Sequence, residues 1–186
     1  MIADIASKAA QKSNVPFQVD ALGTLEDALE GILEKVFVAA YGPLWNAGGD
    51  RGVYRTTDGG ASWEKVLDVS ENTGFNEVHM DPRNPNVLYA ASHQRRRHVY
   101  TYVGGGPGSG LHKSTDGGKT WKEINKGLPS VEIGRIGMDI SDANPEIIYA
   151  IVEASERKGG FYKSTNRGES WSKQSGKVRR GNYYQE

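Results

Sequence analysis

Three short segments of the sequence combine an acid or an amide with glycine and tryptophan at fixed spacing. They are YRTTDGGASW at 54–63, HKSTDGGKTW at 112–121 and YKSTNRGESW at 162–171. An aspartate beside two glycines is a candidate for catalysis or for ion binding. A catalytic site is seldom needed three times in one small chain, whereas a structural module repeats freely. The repetition therefore predicts a structural function for this motif.

Each copy has the composition of a hairpin turn. Asp58, Asp116 and Asn166 have short side chains that accept hydrogen bonds from nearby backbone N–H groups. The glycine two positions later tolerates a positive φ, and the tryptophan of the outgoing strand is expected to pack between neighbouring repeats. We call residues 56–63, 114–121 and 164–171 the acid–glycine turns. Their predicted structural residues are Thr56, Asp58, Gly60, Trp63, Ser114, Asp116, Gly118, Trp121, Ser164, Asn166, Gly168 and Trp171.

Two other segments carry side chains suited to binding. SHQRRRHVYTYVGGGPGSG at 92–110 offers cations for carboxylates, phosphates or an acidic partner, and YGPLWNAGGDR at 41–51 offers an aromatic platform for a sugar ring. The candidate binding residues are Arg95, Arg96, Arg97, His93, Tyr100, Tyr102 and Trp45. The alternative is that the arginines pair with nearby acids and the aromatic rings pack on adjacent loops. The glycine run lacks the Gly-Lys-Ser/Thr of a phosphate loop and is expected to be a flexible connector.

Composition excludes several classes of function. Lys plus Arg and Asp plus Glu number 23 each, so net charge predicts no attraction to nucleic acid. The chain has no cysteine, and its four histidines lack metal-ligand spacing, so we predict no disulfide, no metal and no cofactor. No apolar run has the roughly 18 residues of a membrane span. The N-terminal residues show no export signal.

The chain changes character near residue 35. Residues 1–34 have the alanine-rich and amphipathic patterns of two helices, whereas 35–186 contains short apolar segments between glycine, asparagine and proline. NPNVLYAA at 84–91 returns as NPEIIYAI at 144–151, which indicates a repeat of about 40–60 residues, typical of propeller blades. The predicted strands are 36–41, 52–57, 62–67, 75–81, 87–92, 110–115, 120–125, 134–140, 147–153, 160–165 and 170–175.

The predicted fold class is therefore all-β. We expect an incomplete β-propeller of about three four-stranded antiparallel blades, at 36–67, 75–125 and 134–175, preceded by a short α-helical N-terminal segment. The first blade offers three strands. Its missing strand and the end of the chain leave open edges, so we expect self-association, docking of helix 24–35 on the first blade, or contact with remaining blades.

The form [ST]-x-[DN]-x-G-x-[ST]-W resembles the Asp-box, or bacterial neuraminidase repeat. This repeat occurs in the β-propellers of sialidases, xyloglucan-cleaving endoglucanases and sortilin-type sorting receptors. Residues 36–186, with RGVYRTTDGG, GPGSGLHKSTDGGKTW and IGRIGMDIS, are similar to large bacterial proteins of the sortilin-like or glycosyl-hydrolase kind. The resemblance implies a propeller with the box at the blade periphery, away from ligand, and a secreted or periplasmic parent family.

Strand order predicts which end of the blades carries function. Because antiparallel strands send alternate connections to opposite ends, the acid–glycine turns share one end with the short DPRNPN and SDANPE turns. The longer connections meet at the other end, where binding residues concentrate on a rigid scaffold. We call this second surface the long-loop face; it comprises residues 42–51, 68–74, 93–109, 126–133 and 154–159.

Glycoside hydrolysis requires two carboxylates, about 5–10 Å apart, that face a sugar. Asp50, Glu71 and Glu153 lie in or near the long-loop face and are the candidate catalytic acids, although no motif identifies them. No sialidase-like arginine triad emerges from the sequence, although Arg51, Arg97 and Arg135 are possible members. The sequence therefore favours a non-catalytic propeller segment that binds a protein or glycan through the long-loop face. The alternative is a fragment of a secreted glycoside hydrolase, xyloglucanase-like or sialidase-like.

Overall fold

The computed structural model describes residues 35–176, and the helices predicted in 1–34 lie outside the described residues, as does most of helix 24–35. Within 35–176 the chain forms strands and no helix, so no helix there could cross a membrane. The strands are β1 (Val36–Tyr41), β2 (Arg51–Thr56), β3 (Glu64–Leu67), β4 (Thr73–Asp81), β5 (Asn84–Gln94), β6 (Arg96–Arg97), β7 (Tyr102–Val103), β8 (Gly110–Ser114), β9 (Lys122–Glu123), β10 (Ile133–Ile140), β11 (Ile148–Ala154), β12 (Gly160–Ser164) and β13 (Ser172–Ser175).

The strands form three antiparallel sheets of the kind that build propeller blades. The first sheet has the order β1-β2-β3, the second β4-β5-β8-β9 and the third β10-β11-β12-β13. The predicted all-β class is confirmed, and each predicted strand end lies within three residues of the observed one. A fourth, two-stranded sheet was not predicted: β6 and β7 form a small hairpin inside the stretch 93–109 that we expected to be irregular.

Alternating burial explains why these segments are strands. In β11, Ile148, Ala150 and Val152 are buried, whereas Ile151 between them is half exposed. Successive side chains of a strand point to opposite faces, so such a segment covers the core on one face only. The third sheet therefore has a buried face and a second face that carries Ile151.

Buried side chains form two cores between sheets. The first and second sheets share a cluster of Val53, Phe75 and Ala90, with Phe37, Ala39, Val66, Leu67, Val78 and Trp121 packed against it. The second and third sheets share a larger cluster of Val87, Tyr89, Ala91, Leu111, Ile124, Leu128, Ile133, Ile136, Met138, Ile140, Ile148, Ala150, Val152, Tyr162 and Trp171. Burial of this apolar area is the main force that holds neighbouring sheets together.

The chain divides into two compact units. One comprises Met1–Val36 with Thr56–Trp63, of which the structure describes residues 35–36 and the first acid–glycine turn. The other comprises Phe37–Arg55 with Glu64–Glu186 and contains nearly all the described strands. The long-loop face belongs entirely to this second unit.

The second acid–glycine turn shows how the motif is held. The Asp116 carboxylate accepts the backbone N–H of Thr120 at 2.9 Å, the Thr120 hydroxyl at 2.6 Å and the Ser114 hydroxyl at 2.8 Å. The Ser114 hydroxyl oxygen in turn accepts the N–H of Gly118 at 2.9 Å, and Gly118 has a φ of 80°. Both carboxylate oxygens of Asp116 thus accept hydrogen bonds from within the turn itself.

The other two turns repeat this network. Asp58 accepts the Ser62 N–H at 2.9 Å, and the amide oxygen of Asn166 accepts the Ser170 N–H at 3.0 Å. Their tryptophans differ, because Trp171 is buried and donates to the Ile124 carbonyl at 2.7 Å, whereas Trp63 is 46% exposed. The expected packing of tryptophan between repeats therefore describes Trp171 and does not describe Trp63.

Candidate binding site

The loops of the long-loop face are joined to one another by backbone hydrogen bonds. The Gly48 N–H donates to the Glu71 carbonyl at 2.7 Å, and the Arg97 N–H donates to the Leu44 carbonyl at 2.9 Å. These bonds connect three segments, 42–51, 68–74 and 93–109, that are distant in sequence. The face is therefore a continuous surface on which side chains from different loops have defined neighbours.

Arg51 organises the first of these loops from within. Its side chain is buried, and the guanidinium donates to the carbonyls of Gly48 at 3.0 Å, Tyr41 at 3.1 Å and Asn46 at 3.1 Å, and also to that of Pro43. Four of its five N–H donors therefore bond to carbonyl oxygens of the loop. Arg51 has no pair of free N–H groups to offer as a fork to a ligand carboxylate, which argues against its use in a sialidase-like triad.

A second buried group joins the first sheet to the arginine segment. The Tyr41 hydroxyl bonds to His93 Nδ1, and His93 Nε2 donates to the Gly104 carbonyl at 3.0 Å. This arrangement corresponds to a neutral imidazole with its proton on Nε2. Burial lowers the pKa of His93, although the Gly104 bond opposes the shift. Its two partners make His93 a structural histidine.

The three arginines at 95–97 have different environments. The Arg95 guanidinium lies 3.4 Å from the Tyr41 ring centroid and donates to the Gly42 carbonyl at 3.1 Å. Arg96 donates to the Asn72 side-chain oxygen at 3.3 Å. Arg97 is exposed on the β6–β7 hairpin. Within residues 35–176 none of the three forms an ion pair with a carboxylate, so the predicted alternative of acid pairing does not describe them.

The tip of the β6–β7 hairpin carries exposed apolar surface. Tyr100 is 95% exposed and Val99 is 76% exposed. The ring of Tyr102, on β7, lies 5.9 Å from the guanidinium of Arg97. Together the hairpin presents a cation and aromatic rings to solvent. Such a surface suits a ligand with both a flat apolar side and an acidic group.

The glycine-rich stretch behind this hairpin is held in place. The Gly108 N–H donates to the Gln94 side-chain oxygen at 2.9 Å, and the Ser109 hydroxyl accepts the Gln94 N–H at 2.9 Å. The Ser92 hydroxyl donates to the Gly108 carbonyl at 2.8 Å. Hydrogen bonds at Gly108 and Ser109 fix this stretch, so it is not the flexible connector that we expected from the sequence.

Trp45 and the candidate acids are spread over the long-loop face. Trp45 is 57% exposed, and Asp50 and Glu71 are exposed on the two loops that the Gly48–Glu71 bond joins. Glu153 is half-buried on β11, where its carboxylate accepts the Arg135 N–H at 3.3 Å. The structure thus brings the loops of Asp50 and Glu71 together and places Glu153 on a separate strand.

Sequence reasoning missed the residues that support these loops. Arg51 and Gln94 look like ordinary polar residues at the ends of strands, yet Arg51 donates to four carbonyls of the loop before it, and the Gln94 side-chain oxygen accepts the Gly108 N–H. One available signal is the spacing of Gly48, Gly49 and Arg51, since a loop rich in positive-φ glycines leaves carbonyls that need a donor.

Solved structures with a similar fold are GH74 enzymes. An ancestral GH74 enzyme is 23% identical with a TM-score of 0.53, covering 80% of this chain and 18% of that one. The GH74 enzyme of Niastella koreensis is 16% identical with a TM-score of 0.53, covering 75% of this chain and 19% of that one. The GH74 xyloglucanase from Xanthomonas campestris is 20% identical with a TM-score of 0.53, covering 78% of this chain and 22% of that one.

At these identities the likeness extends to the fold alone, and the chain spans about a fifth of the length of the solved enzymes. A comparison with curated proteins gives no match. A family model does match: residues 51–185 fit Sortilin-Vps10, described as "Sortilin, neurotensin receptor 3". This match spans most of the chain and includes the second and third sheets, β2 and β3 of the first sheet, and all three acid–glycine turns. The chain belongs to the Sortilin-Vps10 family.

Proposed function

We propose that this chain is part of a glycoside hydrolase that acts on an extracellular polysaccharide such as xyloglucan, and that its long-loop face contributes to the substrate surface. The observation that carries the proposal is the fold shared with three GH74 enzymes, one of which is named as a xyloglucanase. The exposed ring of Trp45 supports it, because a sugar ring packs well against an indole face.

The supporting loops favour binding without rearrangement. Arg51 holds the loop of Trp45 through four carbonyls, and the Gly48–Glu71 bond links that loop to the next. A surface that is ordered before its ligand arrives loses less entropy on binding. An extended polysaccharide can contact several such loops at once.

Binding is tested with the full chain and xyloglucan oligosaccharides by isothermal titration calorimetry. We expect Trp45→Ala to weaken binding about tenfold through loss of ring stacking. Trp63→Ala is the matched control, because Trp63 is an exposed tryptophan of an acid–glycine turn. Equal effects of the two substitutions, or no binding by the wild-type chain, would rule out this use of the long-loop face.

Hydrolysis is tested by release of reducing sugar from xyloglucan. The test uses three single substitutions, Asp50→Asn, Glu71→Gln and Glu153→Gln. We expect loss of a group that transfers protons to lower kcat by about 10²–10⁴-fold. Turnover that persists in all three variants would show that other carboxylates do the chemistry. Sialosides serve as the comparison substrate, and we expect no turnover of them because Arg51 is committed to its own loop.

A second candidate function is non-catalytic binding of a protein or an acidic glycan. The observation that favours it is the β6–β7 hairpin, where Arg97 and Tyr100 are exposed and the Tyr102 ring lies 5.9 Å from the Arg97 guanidinium. Polygalacturonate binding that falls in Arg97→Ala but not in Lys119→Ala, without any hydrolysis by the wild-type chain, would support it. Unchanged binding in Arg97→Ala would remove this hairpin as the binding surface.

A further inference from the structure

Each of two neighbouring sheets contacts the next acid–glycine turn through one cation, which lies on the strand before its own acid–glycine turn. On the first sheet, Arg55 donates to the Gly117 carbonyl at 3.0 Å. On the second sheet, Lys113 donates to the Arg167 carbonyl at 2.8 Å. Gly117 and Arg167 occupy the same position, directly after the acid or amide of their turns. The cation therefore recognises one defined carbonyl of the following turn.

An aromatic ring on the strand beside the cation, β1 in the first sheet and β5 in the second, completes the contact. A Cβ placed on Gly118 would lie 2.7 Å from the Phe37 ring, and one placed on Gly168 would lie 3.5 Å from the Tyr89 ring. The Tyr89 hydroxyl also donates to the Arg167 carbonyl at 3.3 Å. The ring thus lies beside the glycine of the following turn: a Cβ at Gly118 would collide with Phe37, whereas a Cβ at Gly168 would meet Tyr89 at an ordinary contact distance.

The third sheet carries the same pair of side chains in the same register. Tyr149 is paired with Lys163 across β11 and β12, as Tyr89 is paired with Lys113 across β5 and β8. The ammonium of Lys163 lies 5.9 Å from the Tyr149 ring centroid, and the corresponding distance on the second sheet is 5.7 Å. The third sheet therefore has the cation and the ring with which the second sheet contacts a turn.

Within residues 35–176, no further sheet covers these residues of the third sheet. Ile151 is 50% exposed, and Tyr149 and Phe161 are partly exposed and stack at 5.5 Å between ring centroids. Their counterparts on the second sheet, Tyr89, Ala91 and Leu111, are fully buried. We call Tyr149, Ile151, Phe161 and Lys163 the outer face of the third sheet. A contiguous exposed apolar surface of this kind marks an interaction site.

The first acid–glycine turn offers the complementary group. Its internal bonds match those of the other turns, since Thr56 accepts the Gly60 N–H at 2.9 Å and Asp58 accepts the Ser62 N–H at 2.9 Å. Gly59 occupies the position of the carbonyl that Arg55 and Lys113 recognise in the later turns. Among the described residues, only its own Trp63 approaches the Cβ position of Gly60.

We propose that two copies of this chain associate head to tail, with the first acid–glycine turn of one copy docked on the outer face of the third sheet of the other. Lys163 donates to the Gly59 carbonyl of the docked turn, and the Tyr149 ring lies against Gly60. The partner is a second copy because one chain carries both complementary surfaces in the repeat register. The interface joins two different surfaces. In a pair, one copy therefore retains an unoccupied outer face and the other retains an unoccupied first acid–glycine turn.

Sedimentation velocity of the full chain over a range of concentrations tests this interface. The wild-type chain is expected to self-associate. Lys163→Glu and Ile151→Asp alter the outer face, and Gly60→Asn fills the place of the docked ring with one of the residues that adopt a positive φ most readily after glycine, the φ here being 96°. Each substitution is expected to weaken self-association about tenfold or more.

Mixing variants separates this interface from other kinds of association. Lys163→Glu retains an intact turn and Gly60→Asn retains an intact outer face, so an equimolar mixture should form a one-to-one complex that neither forms alone.

Lys126→Glu makes the same charge change on the long-loop face and should associate like the wild type. A wild-type chain that stays monomeric would overturn the proposal. So would folded variants that associate normally, or a mixture that stays monomeric while both variants melt like the wild type.

Discussion

At the scale of the residue, Asp116 shows why an acid beside two glycines serves the turn. Bonds from the Thr120 side chain and backbone, and from Ser114, hold the pKa of Asp116 well below its usual range. The carboxylate is therefore ionised at all physiological pH values and fully engaged by groups within four residues of it. A general acid or base needs a pKa near the working pH, which this environment prevents.

The third turn predicts which substitution of Asp116 is tolerated. Asn166 uses its oxygen for the Ser164 hydroxyl and its amide nitrogen as donor to the Ser170 hydroxyl at 2.9 Å. Asp116→Asn can make the same bonds and should melt close to the wild type. Asp116→Ala removes them and should lower Tm by about 3 °C or more. Thermal melts followed by circular dichroism test this, with Asp142→Ala as the exposed control.

At the scale of the element, the loops of the long-loop face are ordered by single polar side chains. Arg51 lies at the start of β2 and satisfies four carbonyls of the loop before it, while Gln94 at the end of β5 holds the glycine-rich stretch. Loops without secondary structure need such donors, because buried backbone groups without a partner are costly. The strands position the loops, and these side chains set their conformation.

Replacing Arg51 should therefore disrupt one loop at a measurable cost. We expect Arg51→Met to lower the free energy of unfolding by about 3 kcal/mol, because it leaves several buried carbonyls without donors. Arg97→Met is the matched control on the same face and should change it by less than about 0.5 kcal/mol. Urea denaturation measures both. Similar values for the two variants would contradict the assignment of Arg51 as the organiser of the loop.

At the scale of the whole molecule, buried histidines make stability depend on pH. Burial lowers the pKa of His112 from 6.5 to about 4, and His112 lies between the Phe75 ring and the Ser92 hydroxyl. Burial lowers the pKa of His93 too. His79 has the opposite shift, because its bond with Glu77 raises its pKa above the ordinary value. The three groups therefore affect stability in different pH ranges.

Lowering the pH from 6.5 to 4 should reduce the free energy of unfolding. The unfolded chain binds protons at His112 and His93 at a higher pH than the folded chain does, so stability present above pH 6.5 is lost on acidification. His112 alone contributes about 3 kcal/mol to this loss. The contribution of His79 stays constant there and is lost only as pH rises above 6.5. Urea titrations across this range should give a flatter profile for His112→Phe; an unchanged profile would contradict the assignment.

Features that depend on neighbours within a few residues were predictable from the sequence. The acid–glycine turns and the strands around them follow from short-range hydrogen bonding and from alternation of apolar residues. The small β6–β7 hairpin was not predictable in this way, because it has two residues per strand and no apolar alternation. The different environments of Arg95, Arg96 and Arg97 were equally unpredictable, because the three residues are identical and adjacent in sequence.

By itself, then, the sequence determined a repeated turn, an all-β fold and the end of the sheets at which the long loops lie. Only the tertiary structure decided that Arg51 and His93 support loops, that Arg97 and Trp45 face solvent, and that the outer face of the third sheet is not covered by any other described strand. The physical reason is the range of the interactions. Turn bonds span up to four residues, whereas the bond from Tyr41 to His93 spans 52 and that from Lys113 to Arg167 spans 54. Burial of such groups is decided by packing between sheets.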